Sequence, residues 1–152
     1  MFYEDFRIGQ SASLGEATFS REAIETFGRL FDPRIAAAAR GDAPLAASGL
    51  HVAAAGMRRL VDQLSAWRAA MAGRGETLPE PGVSPGFKAM RWPRPVHEGD
   101  TVSYSMETVS KRETSRPKWG LIGNTFRGLN QRSEEVLVFS SLVLVARRPE
   151  FK

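Results

Sequence analysis

Residues 45–71 read LAASGLHVAAAGMRRLVDQLSAWRAAM and form the longest helical pattern in the chain. Counted from Leu50, apolar side chains recur at intervals of three and four residues, which is the spacing of one helical face. The members of this face are Leu50, Ala53, Ala54, Met57, Leu60, Val61, Leu64, Trp67 and Met71. The sequence therefore predicts one long helix whose apolar face packs against a sheet.

The first turn of this helix carries the residues of greatest chemical interest. Ser48 is predicted to be the N-cap, because its hydroxyl can accept a hydrogen bond from a first-turn amide that has no helical partner. Gly49 and His51 follow, and His51 falls near the polar side, where free amides and the helix dipole favour electron-rich ligand groups. Farther along the polar face, Asp62 is expected to form a surface ion pair with Arg58 or Arg59.

A strand and a shorter helix precede the long helix. The strand is predicted around Ser13 to Phe19, and the helix runs from Ser20 to Asp32, because Pro33 disfavours helical geometry in the residue before it. Its buried stripe is predicted to consist of Ala23, Ile24, Phe27, Leu30 and Phe31. Asp32 at the helix end is a candidate site carboxylate, although capping of a turn by the same side chain is the simpler interpretation.

Four strands are predicted after the long helix, at Phe87–Trp92, Thr101–Val109, Lys118–Leu129 and Glu134–Arg147. The third holds Gly120 and Gly123, which indicate a bend or a close backbone contact. The last is apolar on both faces, a pattern typical of a central strand that is covered on both sides. The order of strand, helix, long helix and four strands predicts an α+β domain.

Composition narrows the possible functions. The 152 residues predict one domain spanning 1–152, and the absence of cysteine excludes disulfides, thiol nucleophiles and cysteine-ligated metals. Two histidines argue against a histidine-rich zinc site, so no metal or cofactor is expected. No stretch reaches membrane-spanning length and the amino terminus lacks a signal pattern, which together predict a soluble cytoplasmic protein without a membrane partner.

The basic balance of the chain does not predict a nucleic-acid partner. The formal charge is +4 with a pI near 10.0, but the basic residues are scattered and aromatic residues do not alternate with them. Such a surface also suits an anionic small ligand such as a phosphorylated nucleotide carrier, and solubility alone is the simplest explanation for most of these side chains.

A set of short motifs extends over nearly the whole chain. In order they are Phe31-Asp32-Pro33, Ala47-Ser48-Gly49-Leu50-His51, Met57–Asp62, Ser84-Pro85-Gly86, Arg91–Val96 with Gly99-Asp100-Thr101, Ser115-Arg116-Pro117 and Asn130-Gln131. In this order the motifs resemble those of hot-dog proteins and, among them, of the MaoC-like dehydratase or (R)-specific enoyl-CoA hydratase family. The resemblance implies an antiparallel sheet wrapped around the long helix.

The resemblance also implies an activity in fatty acid metabolism. The chain would form a homodimer or a larger homo-oligomer, in which two hot-dog domains lie side by side and share one continuous sheet. An acyl-CoA or other acyl thioester would lie in a tunnel at their interface. In the family, an aspartate, which matches Asp32, and a histidine hold a water that adds to the double bond. Backbone amides near the central helix polarise the thioester carbonyl, which assigns Ser48 and Gly49 to substrate binding.

The chain departs from the family at the catalytic histidine. The expected position is Ala37, within the run Arg34–Ala39, and the connection from Asp32 to Ser48 looks shorter than the family's. Alanine can neither accept nor donate a proton, so the usual hydratase mechanism cannot operate unchanged.

Three functions therefore remain open. The first is a hydratase or dehydratase with a rebuilt site, in which Asp32 acts as the base and His51 supplies the second proton-transfer group. The second is a hot-dog thioesterase that uses Asp32 or Asp62 as its base. The third is a catalytically silent acyl-CoA-binding subunit that works with an active partner chain. The family activity is the first hypothesis and the silent subunit a close second, while His97 is expected to be solvated.

Overall fold

The computed structural model describes residues 1–41 and 43–149. A 3-10 helix at Tyr3–Asp5 is followed by β1 (Ser11–Thr18), α1 (Arg21–Phe31), α2 (Pro33–Ala38), α3 (Gly49–Gly73), β2 (Gly86–Arg91), β3 (Thr101–Glu113), β4 (Trp119–Asn130) and β5 (Glu135–Ala146). The five strands form one antiparallel sheet in the order β1-β3-β4-β5-β2. The predicted α+β class and the predicted order of elements are confirmed.

The first half of α3 packs closely on the sheet. The Tyr104 hydroxyl on β3 donates to the carbonyl of Val52 at 2.8 Å, and Val52 is buried. A Cβ added to Gly56 would lie 2.8 Å from the Tyr104 ring and 2.9 Å from the Phe126 ring. Only glycine allows the helix to approach this part of the sheet so closely, and the contact fixes the position of the helix start.

The predicted apolar face of α3 packs on the core of this chain only in part. Of its members, Met71 is buried and Ala53 and Leu60 pack against the core, whereas Leu50, Met57, Val61 and Leu64 are about half to two-thirds exposed. The periodicity found a real apolar stripe, but about half of that stripe remains exposed. The sheet instead receives the side of the helix with small residues, because these permit a closer approach of the two backbones.

The buried stripe of α1 also differs from its prediction. Ile24 and Gly28 are buried, but Leu30 and Phe31 are 69% and 70% exposed. Gly28 is covered by Ile35 of α2, whose Cβ would lie 3.0 Å from a Cβ at position 28. The chain reverses at Asp32-Pro33 and places α2 against this side of α1, so the last turn of α1 faces away from the core.

The prediction for β5 is confirmed in part: β5 lies between β4 and β2 and is buried at residues 136–139, but Leu142 is 38% exposed, so the strand is not covered on both faces along its whole length. The prediction for Gly120 is also confirmed, since the Tyr3 ring lies where a Cβ would stand. The edge strand β2 pairs with β5 alone, through Gly86–Lys88 and then Arg91. Among the helices of the described ranges, none has the length and apolarity that crossing a membrane requires.

Candidate functional site

Asp32 lies where α1 ends and α2 begins. Its backbone N–H donates to the carbonyl of Gly28 at 2.9 Å, which closes the last turn of α1. Its two carboxylate oxygens each accept one hydrogen bond from Arg34, at 2.9 Å from Nε and 2.9 Å from Nη2. These hydrogen bonds lower the pKa of Asp32, so the carboxylate is held in its charged form.

A cavity of about 400 Å³ opens beside this ion pair. Its walls come from α2 and from the segment that leads to α3, and they are largely apolar. Besides Asp32 and Arg34, the lining consists of Ile35, Ala38, Ala43, Pro44, Leu45 and Ala46. The cavity therefore combines an apolar wall with one fixed pair of opposite charges.

The two walls are held together by Arg21 and Glu98, which the sequence did not identify. Arg21 Nη1 donates to both carboxylate oxygens of Glu98, at 3.0 and 3.1 Å, and Arg21 Nη2 donates to the carbonyl of Ala39 at 2.6 Å. The N–H of Glu98 in turn donates to the carbonyl of Leu45 at 2.9 Å. This network joins the end of α2 to the segment before α3, and its members are too far apart in sequence to form a recognisable motif.

Ala37 is exposed on α2 and is not part of the cavity lining. The position expected to carry the family histidine therefore presents a methyl group to solvent. Asp32 and Arg34 are the two charged side chains that line the cavity, and neither has an imidazole beside it in the lining.

His51 lies in the first turn of α3 and is packed between aromatic rings. Its ring stacks on Phe27 with a centroid distance of 4.7 Å and an interplanar angle of 2°, and it meets the Phe19 ring edge-on at 5.0 Å. Within the described ranges, its Nδ1 is buried without a hydrogen-bond partner, and burial lowers the pKa of the imidazole.

The two predicted catalytic side chains are not joined by a hydrogen bond within the described ranges. The carboxylate of Asp32 is hydrogen-bonded to Arg34, and His51 does not line the cavity that Asp32 does. Phe27, which stacks on His51, also contacts Phe31, the residue next to Asp32. Phe27, a residue of α1, thus contacts both His51 at the start of α3 and Phe31 at the end of α1.

Ser48 caps α3 as predicted, since its hydroxyl accepts from the N–H of Leu50 at 3.3 Å. Gly49 is covered by Trp92, whose Nε1 donates to the Gly49 carbonyl at 2.8 Å. A Cβ at position 49 would lie 2.7 Å from the indole. Both residues lie just beyond Ala46, the last residue of the cavity wall. The sequence placed Trp92 in a strand and gave no indication of this contact.

The remaining candidates have structural partners. Asp62 accepts from Arg58 Nε at 2.8 Å and lies 3.1 Å from Arg59 Nη2, which is the ion pair that the helix spacing predicts. His97 is partly buried and forms an isolated bridge with Ala46, so it is less solvated than expected. The described ranges hold no group of three or more acidic or histidine side chains arranged to bind a metal ion.

A second cavity, also of about 400 Å³, lies at the β2 end of the sheet. Its lining mixes apolar residues such as Phe87 and Leu142 with Ser110, Asn124 and Lys88. Of the residues that line it, none is a carboxylate or an imidazole. This cavity can hold a ligand, but it offers no evident acid-base pair.

Comparison with known proteins shows which proteins this chain is similar to. No family model matches the chain. Mesaconyl-CoA hydratase of Cereibacter sphaeroides is 30% identical over 97% of the chain, which spans only 41% of that protein's length. A MaoC-like dehydratase of Rhodospirillum rubrum superposes with a TM-score of 0.77 at 28% identity, covering 98% of this chain and 99% of that one.

A third comparison concerns a larger protein. A Mycobacterium tuberculosis protein with a double hot-dog fold superposes with a TM-score of 0.69 at 19% identity, covering 100% of this chain and 46% of that one. The chain therefore corresponds in extent to less than half of two of these proteins, and the hot-dog fold that its motifs predict is confirmed. Taken with its fold, these likenesses show that the chain has the hot-dog fold and is similar to MaoC-like dehydratases and to mesaconyl-CoA hydratase.

Proposed function

We propose that this chain binds an acyl thioester beside Asp32, as one hot dog of a hydratase or dehydratase, and that its own site lacks the proton-transferring pair. Its ligand would be a trans-2-enoyl-CoA or 3-hydroxyacyl-CoA, the substrate and product of hydration. The chain would then supply binding surface, and a partner would supply the chemistry.

The observation that most supports this proposal is the ion pair between Asp32 and Arg34. A general base needs a pKa near the working pH. The hydrogen bonds that Arg34 donates to the two oxygens of Asp32 lower its pKa further below neutrality. Ala37 adds no proton acceptor at the family position. Binding without turnover follows from this arrangement.

The cavity itself suits a small acyl group. Its volume of about 400 Å³ falls in the range of roughly 300–1,000 Å³ typical of small-molecule sites, and such sites combine apolar walls with a few polar groups. Ile35 and Leu45 would contact the acyl chain, and the exposed guanidinium of Arg34 would lie near polar groups of the ligand.

The edge strand β2 offers a place for a second hot dog. A strand with one unpaired edge can add a strand from another chain, and β2 pairs with β5 alone. The exposed apolar stripe of α3 and Phe87, which is 63% exposed, would lose contact with water in such a pair. The greater length of mesaconyl-CoA hydratase and the double hot dog of the mycobacterial protein support a two-hot-dog unit. For the chemistry to be supplied, the partner in this unit is an active relative, because a second copy would lack the same proton-transferring pair.

Calorimetric titration with crotonyl-CoA tests the binding site. Ala38→Phe places a ring in the cavity and is expected to weaken binding by at least tenfold. Ala37→Phe puts the same ring on an exposed neighbouring position outside the lining and serves as the matched control. Equal affinities of the two variants for crotonyl-CoA would show that the ligand does not bind in this cavity.

A rebuilt hydratase is the second candidate, and the buried Nδ1 of His51 favours it. Buried polar atoms nearly always have a partner, so an unsatisfied imidazole nitrogen is a mark of functional sites. The similarity to mesaconyl-CoA hydratase points the same way. In this candidate, a bound water or substrate group would occupy Nδ1, and His51→Ala would abolish hydration of crotonyl-CoA that the unmodified chain performs. Hydration unaffected by that change would limit His51 to packing.

A further inference from the structure

We propose that the exposed surface formed by Arg91, Trp92 and Arg94 binds the nucleotide end of coenzyme A. This surface, called the Trp92 surface below, follows directly after the edge strand β2. The inference rests on the proposed function, because it assigns the far end of the same thioester ligand. It selects coenzyme A over a carrier-protein arm as the group that brings the acyl chain.

Trp92 is fixed in a way that suits a stacking platform. Its indole lies over Gly49, where a side chain would collide with it at 2.7 Å, and its Nε1 is anchored to the Gly49 carbonyl at 2.8 Å. The side chain nevertheless remains 40% exposed. The exposed part therefore lies on the side away from Gly49, and no other aromatic ring within the described ranges stacks on it.

Two arginines that neighbour Trp92 in the sequence supply positive charge at the end of β2. Arg91 is exposed and forms no ion pair with the described residues. Arg94 is 59% exposed and forms a long ion pair with Glu134, at 3.7 Å from Nε to one carboxylate oxygen. The Arg91 guanidinium is therefore available to phosphate oxygens, and Arg94 would exchange its exposed ion pair for one with a phosphate, which guanidinium groups bind in forked hydrogen-bonded geometry.

The Trp92 surface also lies at a suitable distance from the acyl cavity. Ala46 belongs to the cavity wall, and Gly49, which carries Trp92, is three residues farther along. Three extended residues span at most ~10 Å. A ligand with an acyl group at one end, a flexible arm and a phosphorylated nucleotide at the other can reach both places.

The chemistry of the surface fits an adenine nucleotide. An aromatic ring with a free face can stack on a base. Removal of such a ring weakens the binding of the nucleotide about tenfold. Arginines beside the ring neutralise the phosphates and make binding depend on salt. A thioester of pantetheine has the same acyl end but neither base nor nucleotide phosphates, so it would not use the Trp92 surface.

Titration of three ligands against three forms of the chain tests the inference. Crotonyl-CoA, crotonyl-pantetheine and adenosine 3′,5′-bisphosphate are titrated against the unmodified chain, Trp92→Ala and Trp92→Phe. We expect Trp92→Ala to weaken crotonyl-CoA and bisphosphate binding about tenfold and to leave crotonyl-pantetheine unchanged. Trp92→Phe keeps a ring without the Nε1 bond, so it should retain most of the affinity and shows that a loss in Trp92→Ala is not a folding defect.

A charge test accompanies the ring test. Arg91→Gln with Arg94→Gln should weaken crotonyl-CoA binding and flatten its dependence on salt, whereas Arg29→Gln, an exposed arginine on α1, should change neither. Equal affinity for the two thioesters, or an equal loss of both in Trp92→Ala, would overturn the inference. Bisphosphate bound through Trp92 without any thioester binding would uphold the inference and refute the acyl cavity. If none of the three ligands binds, both proposals fail.

Discussion

The start of α3 and the segment from Asp32 to Ala39 lie on opposite sides of the connection to the long helix, and they differ in how firmly the fold constrains them. At the start of α3, Gly56 meets Tyr104 and Phe126, and the Tyr104 hydroxyl bonds to the Val52 carbonyl. In the other segment, Ala37 and Arg34 are exposed. Packing requires a particular residue at Gly56 but nothing particular at Ala37.

This difference shows which positions can change their side chains, and with them their chemistry, without a change of fold. A change at Gly56 forces the sheet and helix apart, so the residues that shape the fold are restricted. A side chain at position 37 is exposed and contributes nothing to the core, so a proton-transfer group could be present or absent there without a change of fold. A hot-dog chain can therefore keep its architecture and a ligand cavity while its catalytic segment changes.

The largest effect is expected from enlarging Gly56. Gly56→Leu drives a side chain into the Tyr104 and Phe126 rings, and we expect the free energy of unfolding to fall by about 3 kcal/mol, as in overpacked cores. Guanidinium denaturation measures the change. Gly73→Ala is the matched control, because nothing lies within 4 Å of a Cβ there and alanine favours the helix. A loss in Gly73→Ala as large as in Gly56→Leu would break the comparison.

A smaller effect is expected from the hydroxyl of Tyr104. Tyr104→Phe keeps the ring and removes the hydrogen bond to the Val52 carbonyl, which should lower the free energy of unfolding by about 1 kcal/mol. The same denaturation experiment measures it. An unchanged free energy would mean that the ring alone positions the helix start.

His51 predicts a dependence of stability on pH. Burial between Phe19 and Phe27 lowers its pKa in the folded chain below the value of about 6.5 in the unfolded chain. The unfolded chain then binds more protons, so stability falls as the pH decreases through about 6.5 and stops falling below the folded pKa.

Thermal melts between pH 5 and pH 7.5 measure this dependence. His51→Phe keeps a stacked ring and should flatten the curve in that interval. A curve that stays as steep in His51→Phe as in the unmodified chain would show that another group takes up the proton.

The smallest effect on stability is expected at the Asp32 pair, because its arginine is exposed. Arg34→Gln should raise the pKa of Asp32 toward its ordinary value, since the Arg34 hydrogen bonds are the main cause of its depression. Titration of the Asp32 carboxyl by NMR measures the pKa, and the melting temperature should hardly change. A pKa that stays depressed in Arg34→Gln would mean that another group holds the charge.

Much of the fold was predictable because it depends on local signals. Ser48 as an N-cap, the helix end at Asp32-Pro33 and the central position of β5 each follow from residue types at adjacent positions or from one short periodic pattern. These features repeat from one protein to another because the backbone geometry is the same.

The misassignments have a common physical cause. Periodicity identifies an apolar stripe on α3 but not what covers it, so Met57, Val61 and Leu64 were assigned to the wrong surface. The exposure of Leu30 and Phe31 depends on where α2 packs, which no residue of α1 reveals. Likewise the contact of Trp92 with Gly49 joins residues that are far apart in the sequence, so it depends on how the chain folds back on itself.

Hydration of crotonyl-CoA, followed as loss of the conjugated thioester absorbance, tests the central claim most directly. The purified chain is assayed beside Asp32→Asn, with binding measured on the same preparations. The account predicts that the unmodified chain binds crotonyl-CoA and does not hydrate it, with Asp32→Asn equally silent. Turnover by the unmodified chain that Asp32→Asn abolishes would contradict the account, because Asp32 would then act as a base despite its bonds to Arg34.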